Sequence, residues 1–571
     1  MPDARPGDPH WHSDVEAARI VDGPDEIAWD DAADLVVIGY GGAGVSAALE
    51  AAEAGLEVIA ADRFQGGGAT AMNGGVFYAG GGTPAQHEAG VSDDAEEMFK
   101  YLRIEAAGVV SDATLRRFCD TSVETVDWMT RHGVRFRGIL YPDKTSYPHS
   151  SFYLYHPDNS LQPAYARVAR PAPRGHRAFL PGTSSPVGYG VGLYDPLRDA
   201  AEKAGVRLLT GAEARQLVVD HAGRVLGVKL IQVPADASVA ARYQKLQQRA
   251  TRLLLKLPPA FPGAGLAARI AERWFAETRR IEAKHGIARH IRARRGVALS
   301  AGGFIFNRAM VRHYAPRYAQ GMPLGSPGDD GSGIRLGQSA GGAVSRLDHV
   351  SAWRFINPPF AWAKGMIVDA RGERYVNEAL YGATIGLPMV EERGGVAWLI
   401  IDQALYDEAM AQSRDKLILP FQKYPALAAM RLGRKKATTI NALADKCGFD
   451  VATFQANIAR YNAAARGETA DAFDKAAEDM HPIGTGPFYA LDMSITARLM
   501  PLPVLTLGGL RVEEESGAVL DEAGTPIAGL YAAGRTAVGI CSNIYVSGLS
   551  AADCVFSGRR AARHAVMTDR H

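Results

Sequence analysis

Asp34-Leu35-Val36-Val37-Ile38-Gly39-Tyr40-Gly41-Gly42-Ala43-Gly44 is the stretch from which the rest of the chain is read. Residues 34–39 form a short apolar run closed by a glycine, as a buried strand does, and the Ala-rich stretch Val45 to Ala54 predicts a helix. Between them, Gly39, Gly41 and Gly44 stand at GxGxxG spacing. Gly39 permits a tight turn, Gly41 lets backbone approach a pyrophosphate, and Gly44 lets helix and strand close together. The N-terminus of that helix, with Gly42 and Ala43 leading into it, supplies free N–H groups for the anion. A second strand, Glu57 to Ala61, ends in Asp62, 23 residues after Gly39, where a carboxylate grips an adenosine ribose, with Arg63 next to it. Strand, turn, helix and acid in this order predict a dinucleotide site. FAD and NAD share the fingerprint, so these residues alone leave the choice open.

The 571 residues, 47% of them apolar, suffice for two or more domains with sizeable cores, which excludes a small disulfide scaffold and a disordered tail protein. With 63 Lys and Arg against 62 Asp and Glu, the net charge of +1 gives no global reason to expect nucleic acid. Cys119, Cys447, Cys541 and Cys554 lie far apart and form no CxxC pair, which argues against structural zinc or a disulfide framework. No metal site is expected, and His10-Trp11-His12 lacks a third ligand. There is no basic segment followed by an apolar one at the start, and no uninterrupted apolar stretch of membrane-spanning length. A reducing, cytoplasmic setting is the expectation.

The second glycine cluster separates FAD from NAD. Gly66-Gly67-Gly68-Ala69-Thr70-Ala71-Met72-Asn73-Gly74-Gly75 resembles the flavin-contacting segment of the fumarate reductase/succinate dehydrogenase flavoprotein superfamily. Quinone-linked members attach FAD covalently through a histidine here. Gly68 occupies that position, so the resemblance implies noncovalent FAD. Val297 to Phe304, with Gly302, resembles the family's third dinucleotide-domain strand, and Gly328-Asp329-Asp330-Gly331 its GDG loop. Gly529 to Arg535, with Gly534, resembles the strand beneath the ribityl chain; Gly548-Leu549-Ser550 follows, with backbone amides expected at the flavin N1–C2 edge.

The same family pattern implies an α/β fold: a Rossmann-like FAD-binding domain, split in sequence, with a largely parallel sheet and an inserted α+β cap or catalytic domain. Residues 1–30 read as a polar lead-in, 31–345 and 496–571 as the FAD-binding domain, and 346–495 as the cap. Residues 234–290 interrupt the pattern. From Arg242 to Lys284 there are ten Lys and Arg against three Asp and Glu. Tyr243, Leu246, Ala250, Leu253, Leu254 and Leu257 recur at helical spacing, with Lys245, Arg249, Arg252 and Lys256 on another face. Pro258-Pro259 separates this helix from a second, which carries Leu266, Ile270, Trp274 and Ile281. Such a basic hairpin, 236–286, either lies on an anionic membrane surface or packs on its own domain or another subunit.

Fumarate reductases clamp two carboxylates with arginines and histidines, and those donors are missing here. An arginine after the cap-domain Glu is replaced by Tyr381 in Arg374-Tyr375-Val376-Asn377-Glu378-Ala379-Leu380-Tyr381, with Tyr375 as its rival. A histidine becomes Leu505, and the terminal carboxylate-binding arginine becomes Tyr545 in Ile544-Tyr545-Val546-Ser547-Gly548. A dianion would lose its ion pairs there, whereas a neutral ketone needs hydrogen bonds and apolar walls. These replacements resemble the 3-ketosteroid dehydrogenases, most closely the Δ4-(5α) branch, since the Δ1 branch carries glycine four residues after the tyrosine and position 549 here is Leu. The resemblance implies a neutral, steroid-like ketone as substrate and an electron acceptor that the sequence does not identify. It also implies Tyr545 as the base at C4, with Ser547 and Tyr381 as a hydroxyl relay. A Δ1-dehydrogenase, an ene-reductase and a flavin-bearing binding module without turnover are the alternatives. Arg174 and His176 read either as neighbours of flavin or substrate or as part of a surface loop, and Cys541 as a packed thiol.

Overall fold

The computed structural model describes residues 14–180, 189–234, 237–256 and 264–569. His10-Trp11-His12, the side chains of Leu254 and Lys256, and Leu257, Pro258 and Pro259 lie outside the described residues.

Asp31–Ile38 is the central strand of a nine-stranded sheet and pairs in parallel with Val58–Asp62 on one side and Ile287–Leu299 on the other. Its side chains alternate between two cores. Leu35 and Val37 face one, Val36 and Ile38 the other, so both faces are buried, which is why the sequence reads as a continuous apolar run. Pro526–Ala532, from near the end of the chain, pairs in parallel with Ile287–Leu299 through Val297 and Leu530. Arg207–Thr210 extends the parallel part beyond Val58–Asp62. Beyond Ile287–Leu299 the sheet turns antiparallel, with Val225–Gln232 and Ala212–Asp220.

The stretch read as a polar lead-in is more than that. Arg19–Val21 pairs with Ala212–Asp220 at the sheet edge, and Val21 and Ile27 are buried with Trp29 against them. Gly227, whose Cβ would lie 2.6 Å from the Trp29 ring, makes the room.

Helix Gly42–Glu53 starts three residues beyond the turn glycine Gly39, slightly earlier than periodicity predicts. It packs against the C-terminal helix Leu549–Met567, where a Cβ on Gly558 would stand 2.3 Å from the Ala43 carbonyl. Met366–Val368, Trp398–Ile401, Phe488–Asp492 and Arg434–Ala437 form a four-stranded antiparallel sheet over a separate core, with helices Ile440–Cys447 and Val451–Ala465. A further sheet of four short strands, Val76–Tyr78, Gly175–Arg177, Leu154–His156 and Leu140–Lys144, lies in sequence between Val58–Asp62 and Arg207–Thr210 of the nine-stranded sheet. The architecture is mixed α/β, as the family pattern implies. No described helix is long and apolar enough to cross a membrane.

The insertion is a helical hairpin, Ala237–Lys256 and Ala264–His285. Tyr243 and Ile281 are buried together with Val233, with Val239 and Leu246 packed against them, while Lys245, Arg249 and Arg252 are exposed.

Candidate active site

A cavity of about 350 Å³ runs from the Gly39 turn along the end of Val58–Asp62. Its walls include Gly39, Gly41, Gly42, Ala43, Asp62, Arg63, Gly68, Ala69, Thr70, Gly302, Asp330, Gly534 and Arg535, all read from the sequence as cofactor-binding. The glycines divide by role. Gly39 has φ +89°, and a Cβ there would lie 2.6 Å from Ala301 Cα; at Gly44 it would lie 2.0 Å from the Gly39 carbonyl oxygen. These two therefore serve the close approach of turn, strand and helix. At Gly41 a Cβ would meet no protein atom nearer than 3.8 Å, so only the cavity's contents require glycine there. No side chain caps helix Gly42–Glu53, although Thr70 Oγ1 accepts from the Gly42 N–H at 3.1 Å. An open helix N-terminus, a wall without Cβ atoms and an adjacent carboxylate fit a dinucleotide.

Asp62 is held in place by three backbone donors, Tyr40 N–H at 2.8 Å, Phe64 N–H at 2.8 Å and Gly66 N–H at 3.2 Å. Arg63 lines the cavity with its charge already matched, by Glu282 at 2.8 Å, Glu213 at 3.1 Å and Asp330 at 3.3 Å. Arg535 is oriented by Asp329, its Nη2 donating to both carboxylate oxygens at 2.8 and 3.0 Å, while its buried Nη1 has no partner in the protein. An unpaired guanidinium nitrogen on a cavity wall suits an anionic or carbonyl-bearing ligand. Asp329 was not singled out in the sequence, where it is indistinguishable from its neighbour Asp330.

The remaining expected cofactor residues lie outside this cavity's lining. Asn73 Oδ1 accepts from Gly75 N–H at 2.7 Å and shapes the turn; Tyr147 Oη donates to the Gly74 carbonyl at 2.6 Å. Gly331, with φ +83°, is a packing glycine, since its Cβ would lie 2.5 Å from Met310 Sδ. Gly548, with φ +84°, starts the uncapped helix that Leu549 and Ser550 open, and its Cβ would sit 2.8 Å from Tyr78 N. Gly68 offers no side chain for a covalent flavin bond.

Tyr381, Tyr545 and Ser547 come together although 164 residues separate the first two in the chain. Tyr381, Ala383 and Ile544 form a small cluster joined by Trp353 and Tyr545. The Trp353 ring centre lies 5.6 Å from that of Tyr381 and 5.5 Å from that of Tyr545. Tyr375 is instead buried in the main core, which removes it as the rival of Tyr381 at this cluster. Ser547 Oγ shares a hydrogen bond of 3.0 Å with Tyr155 Oη. Tyr155 and Trp353 were missed in the sequence. Among 21 tyrosines and seven tryptophans nothing local marks either; Tyr155 reaches the site from the strand Leu154–His156 and Trp353 from the residue just after the strand Val350–Ala352.

The phenols differ in their acidity. Burial pushes Tyr545 up to about 12, with the Gly548 backbone N–H opposing. Burial, then the neighbouring Tyr545 and Tyr155, drives Tyr381 well up, opposed by the Ser547 hydroxyl, which is close but outside hydrogen-bonding geometry. Burial raises Tyr155 more strongly than Tyr545.

Positioning groups surround the cluster. Tyr381 N–H donates to Asn159 Oδ1 at 2.6 Å, and Asn159 Nδ2 donates to Glu105 at 3.0 Å. Burial raises Glu105 to about 7 despite its bonds from Tyr101 and Asn159. Arg374 and Glu378 form a buried two-pronged pair at 2.9 and 2.8 Å, with Lys475 adding a third bond at 2.8 Å, so the turn leading to Tyr381 is pinned. Arg174 and His176 are fully buried, and the surface-loop alternative is thereby corrected. Arg174 pairs with Asp93 at 2.7 Å; His176 contacts Thr83 Oγ1 at 2.7 Å, and burial lowers its pKa to about 4. Cys541 Sγ donates to Asp553 at 3.6 Å, and burial beside that carboxylate raises the thiol, as befits a packed residue. Among the described residues, no cluster of three or more His, Cys, Asp or Glu could hold a metal.

Residues 34–548 match the FAD binding domain family. The chain is 41% identical, over 89% of its length and 94% of the relative's, to the 3-oxo-5-alpha-steroid 4-dehydrogenase of Comamonas testosteroni. It is 25% identical to the 3-oxosteroid 1-dehydrogenase of Mycolicibacterium smegmatis, over 90% of this chain and 93% of that one. Among solved structures, the 3-ketosteroid-Δ4-(5α)-dehydrogenase of Rhodococcus jostii, in complex with 4-androstene-3,17-dione, superposes with a TM-score of 0.79 at 30% identity, covering 97% of this chain and 100% of that one. The cofactor is FAD, and the chain belongs to the FAD-binding flavoprotein family that joins the fumarate reductases to the 3-ketosteroid dehydrogenases.

Proposed function

We propose that this flavoprotein oxidises 3-keto-5α-steroids by forming the C4–C5 double bond. The observation that carries the reading is the convergence of Tyr545, Tyr381 and Trp353 on one small apolar cluster that, among the described residues, includes no arginine, with Ser547 bonded to Tyr155 beside it, together with the 41% identical relative named for that reaction. FAD, when bound, supplies the hydride acceptor for the hydrogen leaving C5. Every other step belongs to the chain. Tyr545 Oη takes the proton from C4, and the two electrons of that C–H bond become the new π bond. As that proton arrives, the phenol's own proton is passed on to solvent through the hydroxyls of Ser547, bonded to Tyr155, and the nearby Tyr381. Trp353 and Ile544 wall the site and keep water from it. Backbone N–H groups at Gly548 stabilise the enolate oxygen as it develops at C3.

The physiological electron acceptor is a separate partner. Cytoplasmic placement, with peripheral contact to an anionic membrane through 236–286, would use the exposed Lys245, Arg249 and Arg252; cosedimentation with anionic vesicles tests that contact.

Anaerobic mixing of the yellow protein with a saturated 3-keto-5α-steroid and, separately, a 3-keto-4-ene steroid tests the reaction. Bleaching of the flavin by the saturated ketone alone, with a 4-ene product, is expected. Bleaching by the 4-ene steroid with a 1,4-diene product would move the enzyme to the Δ1 reaction, and bleaching by neither would refute dehydrogenation of ketosteroids.

A further inference from the structure

The basic hairpin contributes to the cofactor cavity. Gln247, Gln248, Thr251 and Arg252 from its first helix and Phe275 from its second line the same cavity as Gly41 and Asp62. The anchoring is specific. Tyr243 Oη lies within hydrogen-bonding distance of both the Arg63 carbonyl, at 2.9 Å, and Glu282 of the second helix, and shares its one proton between these acceptors. Glu282 in turn holds the Arg63 guanidinium at 3.0 and 2.8 Å. Arg63 directly follows Asp62, so the hairpin is tied one residue from the carboxylate expected at the adenosine ribose. Tyr243, Gln247 and Thr251 are spaced by four and share one helix face, which carries the face from this anchor over the cavity.

Gln247 is the informative residue. It is 5% exposed, and neither its amide nitrogen nor its amide oxygen has a partner. A buried carboxamide left unpaired costs about 1–3 kcal/mol for each group, so its persistence on a cavity wall points to a ligand that pairs with it. The edge of an adenine offers an amino donor beside ring-nitrogen acceptors, the pattern a carboxamide matches with two bonds. Phe275 adds an aromatic wall suited to a base.

We propose that the hairpin Ala237–Lys256/Ala264–His285 is an adenosine-binding wall for FAD, with Gln247 reading the adenine edge. This assignment does not depend on the substrate. The ion pairs of Arg63 are part of it: they spend the cation on holding the hairpin rather than on the pyrophosphate.

The test measures binding, not turnover. Holoenzyme is diluted and flavin release followed by fluorescence, and the deflavinated protein is titrated with FAD and with ADP, which carries the adenosine half and no flavin. Gln247→Leu keeps the side chain's bulk and is expected to weaken both FAD and ADP about tenfold, the loss of about one net hydrogen bond. Lys245→Ala, on the exposed face, leaves both unchanged. FAD and ADP affinities within twofold of wild type in Gln247→Leu would overturn the proposal. Hydrogen exchange on the unmutated, deflavinated protein gives a second reading that needs no folded variant: ADP is expected to slow exchange across residues 243–251, and the absence of such protection would equally overturn it.

Discussion

Replacing Tyr545 by Phe removes one oxygen from the centre of the site and little else. The ring stays, and with it the contacts to Trp353, whose ring centre is 5.5 Å away. The phenol stands at about 12, raised by burial. At pH 8 roughly one molecule in 10⁴ therefore carries the phenolate unaided, so the neighbouring hydroxyls must take up the proton as the reaction proceeds. Losing a positioned base costs about 10²- to 10⁴-fold in rate, or about 3–5 kcal/mol in the barrier. The assay is anaerobic stopped-flow reduction of the flavin by a 3-keto-5α-steroid, with bound FAD quantified beforehand. Tyr545→Phe should be yellow, bind FAD with wild-type affinity and reduce at least a hundredfold more slowly. Reduction of Tyr545→Phe within tenfold of wild type would refute Tyr545 as the base.

Glu105→Gln should stabilise the protein in a pH-dependent way. The carboxyl is at about 7 when folded against 4.5 when free, so its contribution is fully present below pH 4.5 and lost as pH rises through 7. The variant should match wild type at pH 4.5 and exceed it by about 3 kcal/mol at pH 8, read by denaturant unfolding at both pH values. Glu378→Ala leaves Lys475 buried without its carboxylate and Arg374 with Asp471 as its remaining ion-pair partner, and should cost about 3–5 kcal/mol in the same measurement. Gly44→Ala drives a methyl to 2.0 Å from the Gly39 carbonyl oxygen. Because backbone cannot yield there cheaply, the purified variant should be colourless, with its flavin absorbance lost; normal FAD content would refute the assigned role of Gly44.

The FAD-binding half was legible because its chemistry is local. Asp34 to Asp62 carries strand, turn, helix and acid in a single stretch, and a pyrophosphate cradle needs glycine at fixed spacing whatever surrounds it. Family order then supplied Tyr381, Tyr545 and Ser547. Their roles could be expected from position, but not their surroundings. Tyr155 and Trp353 lie 392 and 192 residues from Ser547 and Tyr545 respectively. A tyrosine or tryptophan in or beside a strand reads as core until the folded chain reveals which oxygen or ring it meets.

The hairpin marks the boundary most sharply. Its composition determined two amphipathic helices with a basic outer face, and periodicity identified the apolar face correctly at Tyr243, Ala250 and Ile281 but not at Leu266, which is exposed. Amphipathicity specifies that a face is covered without specifying by what. Gln247, a polar residue in a polar sequence, carried no signal at all. Only the tertiary structure, by bringing Glu282 and Tyr243 onto Arg63, turned that face toward the dinucleotide cavity. The sequence by itself determined the elements and the cofactor fingerprint, because these depend on neighbours a few residues apart; the tertiary structure decided which distant side chains share a site, because burial and unmet hydrogen bonds exist only once the chain has closed on itself.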